Sequence, residues 1–194
     1  VGALSLSSKS KELAELNDMK KSGAVAFYDY KKSIINPNLL KTSLLYSQTF
    51  DSVIMSYPLD SFVSNNGVMN EGVVSTFYGI KGIPNFSEEI QINRDLKILE
   101  YSAGKLHIPT ISTKESVELI KKAKSKGLDV TCSVAIHNLI FNEDKLKDFD
   151  TRFKVSPPLR TEKDRLALIN GVKKGIIDMV TSDHSPIDIE NKKT

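Results

Sequence analysis

Short apolar runs alternate along this chain with longer stretches whose apolar residues recur every three or four positions. The runs Val1–Leu6, Ala24–Phe27, Val53–Ser56, Leu106–Ile111, Asp129–Ile136 and Ile177–Ser182 have the length and apolar character of buried strands. Helical spacing marks Ser10–Ser22 through Leu13, Leu16 and Met19, with Gly23 as its stop. It also marks Ser87–Ala103 through Ile90, Leu96 and Leu99, and Thr113–Lys126 through Val117, Ile120 and Ala123. Pro37–Phe50 is a further helix, with Asn36 as cap and Pro37 at its first position. Thr161–Lys174 opens on a capping box, Thr161 to Asp164. Ser87 is the expected cap of its helix.

Between the third strand and the third of these helices lies an insertion, Pro58–Pro84, with turn residues at Asn65-Asn66-Gly67, Gly79 and Gly82. Met69–Tyr78 within it reads as one helix. Asn142–Leu146 reads as a short helical turn, and Val155–Leu159, with its paired prolines, as an extended loop. The alternation of strand and helix implies parallel strands joined by right-handed crossovers. Six such strands in 194 residues fall short of a closed eight-stranded barrel, which takes about 250 residues. The fold class is therefore α/β, either an open sheet or a partial barrel, in one domain over 1–194.

Composition narrows the function classes. A formal net charge of +3 from 27 basic and 24 acidic residues is too small to argue for nucleic acid, and the lysines are spread along helices. No apolar stretch reaches the roughly 20 residues of a membrane span, and the first residues do not read as a signal peptide. The single cysteine, Cys132, cannot form an internal disulfide and lies in the apolar run VTCSVAI, where core packing is the plain reading. These features suit a reducing, cytoplasmic setting. The chain has no initiator Met and is expected to be a central-to-C-terminal fragment or a processed product.

Reactive side chains in either α/β architecture belong at the carboxyl ends of strands. Those positions hold Asp29, Ser56-Tyr57, Thr110 to Ser112, His137 and Asp183-His184. Asp183 is placed for metal ligation or base catalysis, and equally for a cap or turn. His137 and Asp29 read either as site residues or as loop and turn residues, and His107, inside a strand, as a half-buried core histidine. The chain contains no HxH, CxxC, HExxH or GxSxG motif and no GxGxxG phosphate loop.

The run KVSPPLRTEKDRLALINGVKKGIIDMVTSDHSP resembles the NPPLR…DR.AL..G...G.ID...TDHAP signature of the dihydroorotase family, within the amidohydrolase superfamily. NNGVMNEG followed by GIPNFSEEIQINRDLKILEYSAGKLHIPTIST is similar to that family's insertion, helix and HIAHVST strand. KELAELNDMKKSGAVAFYDYKKSI is similar to the stretch ending in SDDG. The likeness is collinear over almost the whole chain.

The resemblance implies a TIM barrel of the amidohydrolase type, with about six of its strands present. It implies one or two zinc ions, opening or closing of the cyclic amide of dihydroorotate, and a place in pyrimidine synthesis. It also exposes departures. The family's HCED histidine falls on Ser56 and its HVST histidine on Thr110. Its paired aspartates read Asp29-Tyr30-Lys31. The Asn of NPPLR is Ser156, and the His of TDHAPH is Ile187. The HxH pair would lie upstream of Val1. Asp183 stands as the relic of the general base, and Asp29, Asp183 and His137 are the remaining donors toward a metal. Since zinc is held by imidazole, thiolate or carboxylate, no metal is expected. The implied function is a non-catalytic, structural dihydroorotase homologue, with aspartate carbamoyltransferase as partner and a homodimer as assembly. The alternative is an active cyclic amidohydrolase, converting dihydroorotate to N-carbamoyl-aspartate, whose mononuclear zinc site is completed by upstream residues.

Overall fold

The computed structural model describes residues 1–147, 150–188 and 190. The elements, in chain order, are α1 (Leu16–Lys21), β1 (Ala26–Phe27), α2 (Pro37–Ser47), β2 (Val53–Met55), α3 (Ser61–Ser64), β3 (Met69–Asn70), α4 (Val73–Tyr78) and β4 (Gly82–Ile83). There follow α5 (Phe86–Ser102), β5 (Lys105–Ile108), α6 (Lys114–Ser125), β6 (Val130–Ala135), α7 (Ile136–Ile140), α8 (Glu162–Lys173) and β7 (Met179–Thr181). Five strands form one parallel sheet in the order β1-β2-β5-β6-β7, and β3 and β4 form a separate parallel pair inside the insertion. Ile54 pairs with Leu106, His107 with Thr131 and Val134 with Val180.

The pleat divides this sheet into two unlike faces. Ile54, Leu106, Ile108, Val130, Cys132 and Val134 are buried in one core with Leu40 and Leu44 of α2, Ile92 and Leu99 of α5, Ile120 of α6 and Leu168 of α8. Residues of opposite parity, Met55, His107, Ser133 and Thr181, instead line a cavity. Alternate residues point to opposite faces, so the helices cover one side and the other encloses space. That is the wall of a (β/α) barrel, whereas a doubly wound sheet carries helices on both faces.

The capping signals act as expected. The Asn36 side chain accepts from the Asn38 amide with Pro37 at the first helical position, and Thr113 caps α6. Thr161 and Asp164 close a reciprocal box at α8. Elsewhere the structure departs from the pattern. Of the expected helix Ser10–Ser22, only Leu16–Lys21 is helical. Its first half folds back on the expected strand Val1–Leu6, where Leu13 faces Ser5 in an antiparallel bridge, and the Leu6 amide donates to Glu12 O at 2.9 Å. That leaves Gly2 alone to extend the sheet, by a parallel bridge to Phe27, so five strands and one bridge stand where six strands were expected. Local side-chain bonds from Asp29 and Ser5 compete with helix here.

The expected helix Met69–Tyr78 is a strand and a shorter helix, divided at Gly72. The insertion is tightly layered at this point. A Cβ on Gly67 would lie 2.5 Å from Gly82 O, and one on Gly82 would lie 2.4 Å from the Glu71 Cα, so both positions require glycine. Helix α5 begins one residue before Ser87 and is flanked by Asn85; the Ser87 hydroxyl bonds Pro84 O at 2.8 Å within the first turn. Strand β6 ends at Ala135, and Ile136 already opens α7.

Candidate site at the strand ends

The inner face of the sheet opens at its carboxyl end into a cavity of about 790 Å³, with Met55, His107, Thr110, Ser133, Thr181 and Asp183 among its lining. An adjoining cleft of about 390 Å³ is lined by Lys31, His137, Ser156, His184 and Ile187, and Asp183 borders both spaces. Three of the five strand-end groups read from the sequence, at Thr110, at His137 and at Asp183-His184, therefore border this region.

Asp29 follows β1 closely and is buried. Its carboxylate turns to the first loop, accepting from the amides of Leu4 at 2.9 Å and Ser5 at 3.0 Å and from the Ser5 hydroxyl. Ser56, directly after β2, donates to Asp95 Oδ2 of α5 at 2.5 Å. Asp95 also accepts from Gln91 at 3.1 Å and from Arg94 Nε at 2.9 Å. Burial pushes the Asp95 carboxyl above its ordinary range, against the opposing pull of Arg94 and Ser56.

Thr110 is held at φ 51°, in the left-handed region, and its buried hydroxyl has no hydrogen-bond partner. Asp183 is likewise left-handed, at φ 47°. Its Oδ2 lies 2.7 Å from Lys31 Nζ, with the carboxylate side chain only 8% exposed. Lys31 itself sits at φ 53°, and its amide donates to the Tyr28 hydroxyl at 3.0 Å. Such backbone states in non-glycine residues cost about 1–3 kcal/mol each and gather at built sites.

His107 is buried, with Nδ1 2.9 Å from Thr131 Oγ1 and Nε2 3.3 Å from Ser133 Oγ. Burial holds its imidazole down to about 4, with Asp178 pulling weakly the other way. Cys132 is buried in the apolar core, and burial pushes its thiol up to about 12. His137 lies on α7 and faces the cleft, where the Ser156 and Tyr57 hydroxyls meet at 2.7 Å. Among the described residues, no three His, Cys, Asp or Glu side chains stand together as a metal-holding group.

Comparison with known proteins places this geometry. A family model for dihydro-orotase-like proteins matches residues 1–116. The chain belongs to the dihydro-orotase-like family. It is 43% identical over 192 residues to a dihydroorotase of Acetivibrio thermocellus, covering 99% of this chain and 45% of that one. It is also 43% identical over 186 residues to a dihydroorotase of Caldicellulosiruptor saccharolyticus, covering 96% and 43%. The chain thus spans less than half the length of these relatives. Among solved structures, the L-hydantoinase (dihydropyrimidinase) of Arthrobacter aurescens superposes with a TM-score of 0.79 at 23% identity, over 92% of this chain and 42% of that one. A D-hydantoinase of Bacillus sp. AR9 gives 0.76 at 18% identity, over 90% and 40%. These last two likenesses speak for the fold.

Within this dihydro-orotase-like chain, three polar groupings escaped the sequence reading. Lys31 read only as part of a polar turn, because its partner lies 152 residues away. Asp95 sat unremarked on the face of α5 that meets Ser56. The third grouping is the fully buried Glu88, which accepts from the Ser112 and Thr113 amides at 2.7 and 3.1 Å and from Ser116 Oγ at 2.7 Å. Arg160 of the PPLR loop lies beside it, Nη2 3.9 Å from Glu88 Oε2, and donates to Asn70 Oδ1 at 2.9 Å and Ile83 O at 2.5 Å. Arg160 thereby ties the loop that carries Ser156 to the insertion.

Proposed function

We propose that this dihydro-orotase-like chain keeps the barrel wall of its family and does not hydrolyse, serving as a structural component of pyrimidine synthesis. The observation that carries this reading is the engagement of the strand-end groups from within the chain. Asp29 is consumed by the Leu4 and Ser5 amides, Asp183 by Lys31 and Ser56 by Asp95. Catalytic zinc takes three protein ligands of imidazole, thiolate or carboxylate, with water in the open position. Ser56 and Thr110 supply hydroxyls, the two carboxylates already have partners, and among the described residues His137 and Asp183 stand in no group of three donors, so the residues present do not fit a zinc ion. Without that ion no bound water of lowered pKa is available for attack on a cyclic amide.

In this reading Asp183 is a relic of a proton-shuttling position, and the outer surface of the barrel is what the protein contributes. Aspartate carbamoyltransferase is the partner proposed, and a homodimer the assembly. One observation favours a second reading: identity of 43% to proteins named dihydroorotase, of which this chain covers 45% or less. Ligands from outside these residues, joined to Asp183, would then complete a mononuclear site.

Turnover separates the two. The full-length protein, supplied with zinc and assayed with dihydroorotate and with N-carbamoyl-aspartate, is expected to give no rate above buffer. A steady rate that disappears in Asp183→Asn would overturn the structural reading.

A further inference from the structure

The sheet order puts β1 at one end of the five strands and β7 at the other, with β2, β5 and β6 between them. Lys31 follows β1 and Asp183 follows β7, yet the ammonium and the carboxylate meet at 2.7 Å. The ion pair therefore joins the two ends of the curved sheet. It lies where the cavity and the adjoining cleft meet, since Asp183 borders both and Lys31 borders the cleft.

Three features distinguish this contact from an incidental surface pair. Both partners are largely shielded, the Lys31 side chain 23% and the Asp183 side chain 8% exposed. Each residue adopts a left-handed backbone that a non-glycine residue takes only when its surroundings impose it. Both ends are also held by neighbours: the Lys31 amide bonds the Tyr28 hydroxyl, and the Asp183 amide bonds Thr181 Oγ1 at 3.2 Å.

We propose that the Lys31 ammonium is the resident cation of the strand-end site, compensating the buried charge of Asp183 and clamping the β1 end of the sheet to the β7 end. A carboxylate at the mouth of an α/β cavity needs a counter-charge, and a divalent ion held by several strands would supply both charge and cross-link. Here one covalently attached ammonium supplies them, with no ligand set beyond a single carboxylate. The assignment goes beyond the non-hydrolytic reading, which concerns the reaction, and names the group that replaces a metal ion's structural role.

A double-mutant cycle on the full-length protein tests it, read by thermal unfolding. Lys31→Met and Asp183→Asn are each expected to lower Tm by several degrees, as for loss of one partner of a shielded pair. The double variant is expected to fall no further than the worse single variant, and Lys31→Arg to keep most of the wild-type Tm. Zinc is expected to leave the wild-type Tm unchanged. Additive losses in the double variant would overturn the proposal, as would a zinc-induced rise in the wild type that is absent in Asp183→Asn. Turnover alongside intact coupling would refute the non-hydrolytic reading and leave the ion pair standing; absent coupling without turnover would do the reverse.

Discussion

His107 illustrates how a single inward-facing residue carries a measurable signature. Burial lowers its imidazole from 6.5 to about 4 in the folded chain. Between those values the unfolded chain holds more protons than the folded one, so stability falls as pH drops from about 6.5 toward 4 and levels off below. The loss is at most about 3 kcal/mol. Urea denaturation at pH 7 and pH 5 is expected to show this slope in the wild type and a shallower one in His107→Asn, whose side chain takes up no proton. Equal slopes would mean that the imidazole is wetter than its 5% exposure implies. Arg160 is the second residue of this kind, enclosed with Glu88 and three other acceptors. Arg160→Leu would remove the counter-charge beside Glu88 and leave Asn70 Oδ1 and Ile83 O short of a donor. A stability loss of about 3–5 kcal/mol is expected, read as a lower urea midpoint. At this scale the sequence was a partial guide. Candidate chemistry at Asp29, Ser56, Thr110 and Asp183 was readable from strand-end position. The partners that engage these groups were not, because Lys31 and Asp183 are 152 residues apart and Ser56 and Asp95 are 39 apart.

Elements with explicit punctuation were legible, and elements decided by tertiary contact were not. The α8 box forms as its Thr161–Asp164 spacing implies, with the Thr161 hydroxyl and Asp164 carboxylate each meeting the other's amide. Thr161→Ala is expected to cost about 1 kcal/mol, seen as a Tm lower by about 2–4 °C in calorimetry. No change would mean that the box is redundant with the Asp164 bond to the Lys114 amide at 2.9 Å. The segment Ser10–Ser22 carried helical spacing in Leu13, Leu16 and Met19, yet its first half became a loop. Ser5, Ser7, Ser8 and Ser10 favour local turns, and Asp29, just past the neighbouring strand β1, fixes the amides of Leu4 and Ser5. In the insertion, Gly72 and the close approach of Gly67, Glu71 and Gly82 override the helical pattern of Met69–Tyr78.

For the whole molecule, strand and helix alternation already implied parallel strands, and the length held the count below a closed barrel. What the pattern left open was the choice between barrel wall and doubly wound sheet. The structure resolves it by packing α2, α5, α6 and α8 against one set of strand residues while Met55, His107 and Ser133 of the other set face a cavity. The polar inner face is the second molecular feature. Barrel interiors favour branched apolar layers, whereas His107 here bonds both Thr131 and Ser133 of the adjacent strand. The proposal that the strand-end groups are engaged from within the chain and hold no catalytic zinc is best tested by metal content. Full-length protein incubated with zinc, freed of excess and analysed by mass spectrometry of the elements is predicted to retain far less than one zinc per chain. Near-stoichiometric zinc that is lost in Asp183→Asn would contradict it.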